Sequence, residues 1–389
     1  MAPAQQPITT SGGNRLAGIE GLRALAAGSI LAYHVWLFDG GGRVGAGGPA
    51  EAGFENLAHG VTLFFALSGF LLYRPFAAAI ARAQPLPSVR AYLRNRALRI
   101  MPAYWAILLV TALVLGTAAV RDESGALGHG ALTDPVLLGQ SALLLQGYDP
   151  ATVAIGIAPA WSLAVEAVFY VLLALLVAVV AAAARGRPVR SRRVLVLLLP
   201  ALLLLLVGLS GKYVAGVVLD GSPGDGWSSN WYSVVERSFW ANADLFSFGM
   251  VAAVVHTEVV DGRLVLPRGW RPAALGVAAA IFAASAATLD GGQLTYLPQN
   301  TAVALAAALL VAAACFPTVA GARAPRLRRL LEGRALVVVG IGSYSVFLWH
   351  VPVIHWLADH GTMRGGWAGL GLNLALTALV VGALSAVTY

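Results

Sequence analysis

The sequence predicts an all-α integral membrane protein of about ten transmembrane helices, with both termini in the cytoplasm. Three observations predict it. Of the 389 residues, 58% are hydrophobic and only 11% are charged, whereas a soluble domain carries roughly 25% charged residues. The apolar residues gather in runs near the roughly 20 residues that a helix needs to span a bilayer. The arginines fall in every second loop between those runs. Ten spans and their loops use up the length as one integral domain.

Residues 1–16 form a polar tail that holds no charge before Arg15, a poor secretory signal. The membrane domain then runs over 17–389. Its first run, 17–38, is interrupted by Glu20 and Arg23 and reads as a retained helix. Gly40 to Gly48 reads as a flexible loop, since no strand precedes it and no Lys-Ser/Thr follows. The runs 58–80 and 102–120 come next. The longest loop, 121–159, contains an apolar stretch, Leu132 to Gln146, too short to span; the expectation is an interfacial or re-entrant helix. The runs 160–184 and 194–211 are rich in Leu and Val, 234–256 holds Arg237 and Asp244, and 273–289 and 298–317 are rich in Ala. The runs 335–358 and 367–388 complete the set.

Placing the N-terminus inside puts Arg82, Arg90, Arg94, Arg96 and Arg99 in one cytoplasmic loop and Arg185, Arg187, Arg190, Arg192 and Arg193 in the next. Arg263, Arg268 and Arg271, then Arg323, Arg326, Arg328, Arg329 and Arg334, follow on the same side. Arg43, Arg121, Lys212 and Arg364 remain outside. This asymmetry sets the orientation. A net charge of +8 would also suit nucleic acid, but basic residues divided among loops argue for lipid headgroups and against a nucleic-acid partner. Cys315 is alone, so the chain builds neither a disulfide framework nor a thiolate metal cluster. No HExxH spacing occurs, and no metal is expected.

Ionisable groups inside apolar runs are functional candidates. Arg23 and His34 are 11 positions apart, about 1100° of helix, within roughly 20° of three turns and about 16 Å of rise. They share a face, a cation near the cytoplasmic mouth and a titratable imidazole deeper in. A snorkelling arginine and a histidine bonded to a neighbouring helix fit the pair as well. Ser162, Glu166 and Tyr170 follow i, i+4, i+8 and form one polar stripe. Ser343 and His350, seven apart, share a face of the ninth run. The topology puts His34, Glu166 and His350 in the outer half, at similar depth. Arg90, Arg94, Arg96 and Arg99 suit phosphates, whether of a substrate or of lipid headgroups. Ser68, in Ala66-Leu67-Ser68-Gly69-Phe70, lacks the glycine of a nucleophile elbow and reads as helix packing. His59, His129, His256 and His360 receive no role. A proton pathway in a transporter or exporter would present the same buried charges and is the rival function.

Several stretches, in order, resemble the membrane-bound acyltransferase 3 family over nearly the whole chain. They are Gly21-Leu22-Arg23 running to His34, Gly60 to Phe70, the pair Arg96 and Arg99 before Pro102-Ala103-Tyr104-Trp105, Trp161-Ser162-Leu163-Ala164-Val165-Glu166, and Ser343-Tyr344-Ser345-Val346-Phe347-Leu348-Trp349-His350. The resemblance implies an O-acyltransferase of a bacterial plasma membrane. It would move acetyl or another short acyl group from cytoplasmic acyl-CoA to a hydroxyl of an envelope glycan or a macrolide. It implies Arg96 and Arg99 at the CoA phosphates and Arg23 along the pantetheine arm. His34 would be general base or acyl carrier, Glu166 would orient it, and His350 would stabilise charge or hold the acceptor. Trp161, Ser162, Tyr170, Ser343, Tyr344 and Trp349 would contact substrate. Two departures stand out: Ala167 replaces a second acid found in many members, and no segment follows the last helix.

Overall fold

The computed structural model describes residues 16–38, 45, 48–184, 190–221, 223–288, 298–318 and 324–388. The tail before Leu16, most of the Gly40–Gly48 loop, and Asp39, Arg43, Arg185, Arg187, Asp290 and Arg323 lie outside the described residues. In chain order the elements are α1 (Ile19–Leu37), α2 (Pro49–Asn56), α3 (Gly60–Ala81), α4 (Val89–Leu109), β1 (Ala118–Arg121), β2 (Leu127–Gly130), α5 (Pro135–Ala142) and α6 (Trp161–Ala184). Then come α7 (Arg190–Tyr213), α8 (Trp231–Glu236), α9 (Phe239–Asn242), α10 (Asp244–Val260), α11 (Trp270–Thr288), α12 (Pro298–Cys315), α13 (Arg326–Leu331), α14 (Arg334–Asp359) and α15 (Gly366–Thr388).

Each of the ten apolar runs holds a helix. Among the described residues, 7 helical stretches are long and apolar enough to cross a membrane: those containing α3, α4, α6, α7, α11, α14 and α15. The other three runs hold α1, which carries Glu20, Arg23 and His34, α10, which has 17 residues, and α12. These are the inner helices. Leu22, Ile30 and Trp36 of α1, Phe246 and Met250 of α10, and Val303 and Val311 of α12 are all 1% exposed or less. Val171 and Leu175 on α6, Leu199 on α7 and Leu379 on α15 stand out from the bundle instead. A helix shielded from lipid by its neighbours needs neither an apolar perimeter nor the full bilayer length.

Close backbone crossings set the core. A Cβ at Gly249 would sit 2.0 Å from the Ala66 carbonyl oxygen, and one at Gly69 2.2 Å from that of Phe246, so α3 and α10 meet through reciprocal glycines. A Cβ at Gly340 would sit 1.9 Å from the Glu20 carbonyl. The second crossing locks α1 to α14, the two helices that carry the candidate histidines.

The structure corrects four sequence expectations. The third run does not begin at 102: α4 starts at Val89, where the Ser88 hydroxyl accepts from the Ala91 N–H at 3.3 Å. Arg90, Arg94, Arg96 and Arg99 are therefore helical, because arginine is a good helix former and the cap sits upstream of them. The third run is not helical to 120. Gly116, at φ +65°, ends the preceding helix, β1 and β2 pair antiparallel from Ala118↔Gly130 to Arg121↔Leu127, and only the short α5 forms within Leu132–Gln146. The run 234–256 is broken into α8, α9 and α10, stitched by Asn242, whose amide donates to the carbonyls of Glu236 and Ser238 at 2.7 and 2.9 Å. Lys212, expected in an outer loop, lies within α7 and is buried against Asp244.

Candidate active site

Helices α1 and α14 run in the same direction, so polar residues at matching heights meet. Arg23 Nε donates to Ser343 Oγ at 3.1 Å. Higher up, His350 Nε2 lies 3.2 Å from His34 Nδ1. His34 Nδ1 also lies 3.0 Å from the Ile30 carbonyl, and His350 Nδ1 2.6 Å from that of Phe347. Carbonyl oxygens only accept, so both Nδ1 atoms of neutral imidazoles carry the proton. His350 Nε2 is then the acceptor for the shared proton on His34 Nδ1, and His34 Nε2 is left as a lone pair. One imidazole is thereby held as a base by the other.

Nearer the arginine-rich end, a chamber of about 110 Å³ opens between α1, α3, α4, α6 and α14. Arg23, Arg96, Arg99, Ser162, Glu166, Tyr170, Ser343 and Tyr344 all line it, so eight of the residues singled out from sequence come together. Ser68 Oγ donates to Glu166 Oε1 inside it, and Tyr170 lies against the same carboxylate one turn on. Tyr344 OH donates to the Ile100 carbonyl at 2.8 Å, which ties α14 to α4. Arg96 and Arg99 form no hydrogen bond or ion pair among the described residues, and the Arg96 Nε is buried without a partner.

The other residues do not enter the chamber. His34 and His350 sit beyond it: Phe347 is in its wall with Phe64, the two rings 6.0 Å apart, and the Phe347 ring is 5.6 Å from that of His350. The resemblance implied that Glu166 orients His34; in the structure its carboxylate accepts from Ser68 of α3, and His34 contacts the Ile30 carbonyl and His350. Helix periodicity gives the face of a residue but not the neighbour that face meets. Trp161 packs edge-on against Phe65, with centroids 6.3 Å apart, and Trp349 Nε1 donates to Thr388 Oγ1 of α15 at 3.2 Å. Both tryptophans thus make contacts to neighbouring helices and lie outside the chamber wall. Ser68 was missed because a motif test for an exposed nucleophile does not look for a carboxylate on another helix. Phe64 and Phe347 gave no polar signal at all.

The Ser68–Glu166 bond makes a measurable claim. Ser68→Ala leaves one carboxylate oxygen without its hydroxyl donor, which should lower thermal stability in detergent by about 1–3 kcal/mol. An unchanged melting temperature would mean that the bond does not form.

Apolar helices around an internal chamber, with arginines that form no ion pair among the described residues at one end and an imidazole pair beyond the other, define a multipass membrane protein with a candidate ligand site inside its bundle. The chain belongs to the acyltransferase 3 family: the family model described as an acyltransferase domain matches residues 16–389. It is thus a membrane acyltransferase. No curated protein and no solved structure matches the chain.

Proposed function

We propose that the protein transfers a short acyl group from acyl-CoA to a hydroxyl of a sugar-containing acceptor, an envelope glycan or a macrolide-like metabolite, with the arginine-rich ends of its helices and both termini facing the cytoplasm of a bacterial cell. One observation carries this reading: the chamber of a family acyltransferase holds Arg96 and Arg99, which form no ion pair among the described residues. Two guanidiniums with free donors beside an apolar wall suit the phosphates and the uncharged arm of a CoA thioester. Arg23, braced by Ser343, lines the same chamber and would lie along the pantetheine arm of the donor.

The chemistry follows from His34. Its Nε2 takes the proton of the acceptor hydroxyl, the resulting alkoxide oxygen attacks the thioester carbonyl, and the C–S bond breaks. The imidazolium proton passes to the departing thiolate, so free CoA leaves as the thiol and the acceptor as an ester. His350 positions His34 and shares the charge of the imidazolium. Phe347, between the chamber and the imidazole pair, must swing aside for the acyl carbon to reach the acceptor oxygen.

The reading is tested by the binding of acetyl-CoA to detergent-purified protein and by CoA release. Arg96→Ala should weaken acyl-CoA binding about 10- to 100-fold, the worth of a charge-assisted hydrogen bond of 1.5–3 kcal/mol, with kcat near wild type at saturating donor. A folded wild-type protein that binds no acyl-CoA of any chain length at millimolar concentration would end the proposal.

A further inference from the structure

A second cavity, of about 400 Å³, adjoins the chamber on the side away from His34. The two share Arg23, Leu71 and Arg99 in their walls, which places them end to end along one line. Arg74 of α3, Glu20 of α1 and Glu332 after α13 line only the second. Arg74 makes no hydrogen bond or ion pair among the described residues, and its Nε is buried without a partner. A guanidinium in the inner half of an apolar helix that forms no ion pair among the described residues has donors to offer an anion from outside the protein, even with Glu20 and Glu332 in the same wall.

The order of groups along the molecule identifies which anion. A CoA thioester reads acyl group, pantetheine arm, pyrophosphate, then ribose with its 3′-phosphate and adenine. With the acyl end toward His34, Arg96 lines the chamber alone, Arg99 lines both cavities, and Arg74 lines only the distal one. We infer that Arg74 holds the 3′-phosphate of the donor, a phosphomonoester site distinct from the pyrophosphate contact at Arg96 and Arg99. Glu20 and Glu332 fit the same ligand, because the ribose hydroxyl and the adenine amino group are donors that carboxylates accept. The inference rests on the acyl-CoA reading and adds the residue that distinguishes CoA from its dephosphorylated form.

The test compares the affinities of CoA and dephospho-CoA for wild type, Arg74→Ala and Arg74→Lys in the same detergent, with size exclusion and thermal melting to show folding. Wild type should prefer CoA by about tenfold or more, the worth of one charged hydrogen-bond pair. Arg74→Ala should bind both ligands equally, at the wild-type affinity for dephospho-CoA, and Arg74→Lys should recover part of the preference. Adenosine 3′,5′-bisphosphate should compete with CoA on wild type and compete less on Arg74→Ala. Equal loss for both ligands in Arg74→Ala would overturn the subsite and leave the donor reading intact. If phospholipid headgroups displace CoA and the bisphosphate does not, Arg74 is a lipid site and the inference fails. Absence of CoA binding by wild type would remove both readings.

Discussion

A folded His34→Ala protein should transfer no acyl group above background, a loss of about 10²–10⁴-fold in kcat for a missing general base, while its affinity for acyl-CoA stays at the wild-type value. The separation follows from position: His34 stands beyond Phe347 and does not line the chamber proposed for the donor. Loss of the imidazole should therefore register in kcat and leave donor affinity alone. His350→Phe should reach part of the same loss by another route. Without the acceptor at His350 Nε2, the proton on His34 is fixed only by the Ile30 carbonyl, so the imidazolium is less well stabilised. The double variant should then be little worse than His34→Ala, because residues acting as a unit do not add. Free-CoA release and acceptor ester formation, followed together, check each statement. Normal turnover by a folded His34→Ala protein would remove His34 from the chemistry.

Much of this arrangement is legible in the sequence, and the parts that are not share a cause. Counting turns puts Arg23 and His34 on one face of α1 and Ser343 and His350 on one face of α14, and the structure joins both pairs. That worked because the two helices are locked in parallel at Gly340, so equal heights become contacts. The same counting gave Glu166, Ser162 and Tyr170 one face of α6 and was right about the stripe. It was silent on azimuth, and α6 turns that stripe toward Ser68 and the chamber that Arg23 also lines, with no contact to His34. Hydropathy placed ten helices but drew the start of α4 at Pro102, because arginines read as loop although they propagate a helix well. It also gave no hint of the β1–β2 hairpin, whose residues are small and mixed in polarity. Charge counting by loops placed Lys212 outside for a related reason: a rule about topology carries no information on what a lysine near a helix end is packed against.

That lysine supports the second large effect. Lys212 on α7 pairs with Asp244 at the start of α10, their side chains 4% and 0% exposed, and Thr301 of α12 donates to the same Asp244 oxygen at 2.5 Å. Gly208 leaves no room above the carboxylate: a Cβ there would lie 2.3 Å from Asp244 Oδ1. Three helices thus close on one ion pair, and neither water nor another side chain can replace a lost partner without moving them. Lys212→Met should destabilise the folded protein by about 3–5 kcal/mol, the cost of stranding a buried charge, and Asp244→Asn should do the same from the other side. The double variant should be more stable than either single one, since it strands nothing; thermal melting of all four proteins gives the coupling directly. The double variant also weighs the acyltransferase reading against the rival one. A buried Lys–Asp pair in a membrane bundle is what a proton-coupled transporter would use, but this pair lines neither cavity. Acyl transfer per folded molecule should therefore remain at the wild-type rate in the double variant. A well-folded double variant that had lost turnover would show that the pair takes part in the working cycle, and proton coupling would then have to be built into the mechanism.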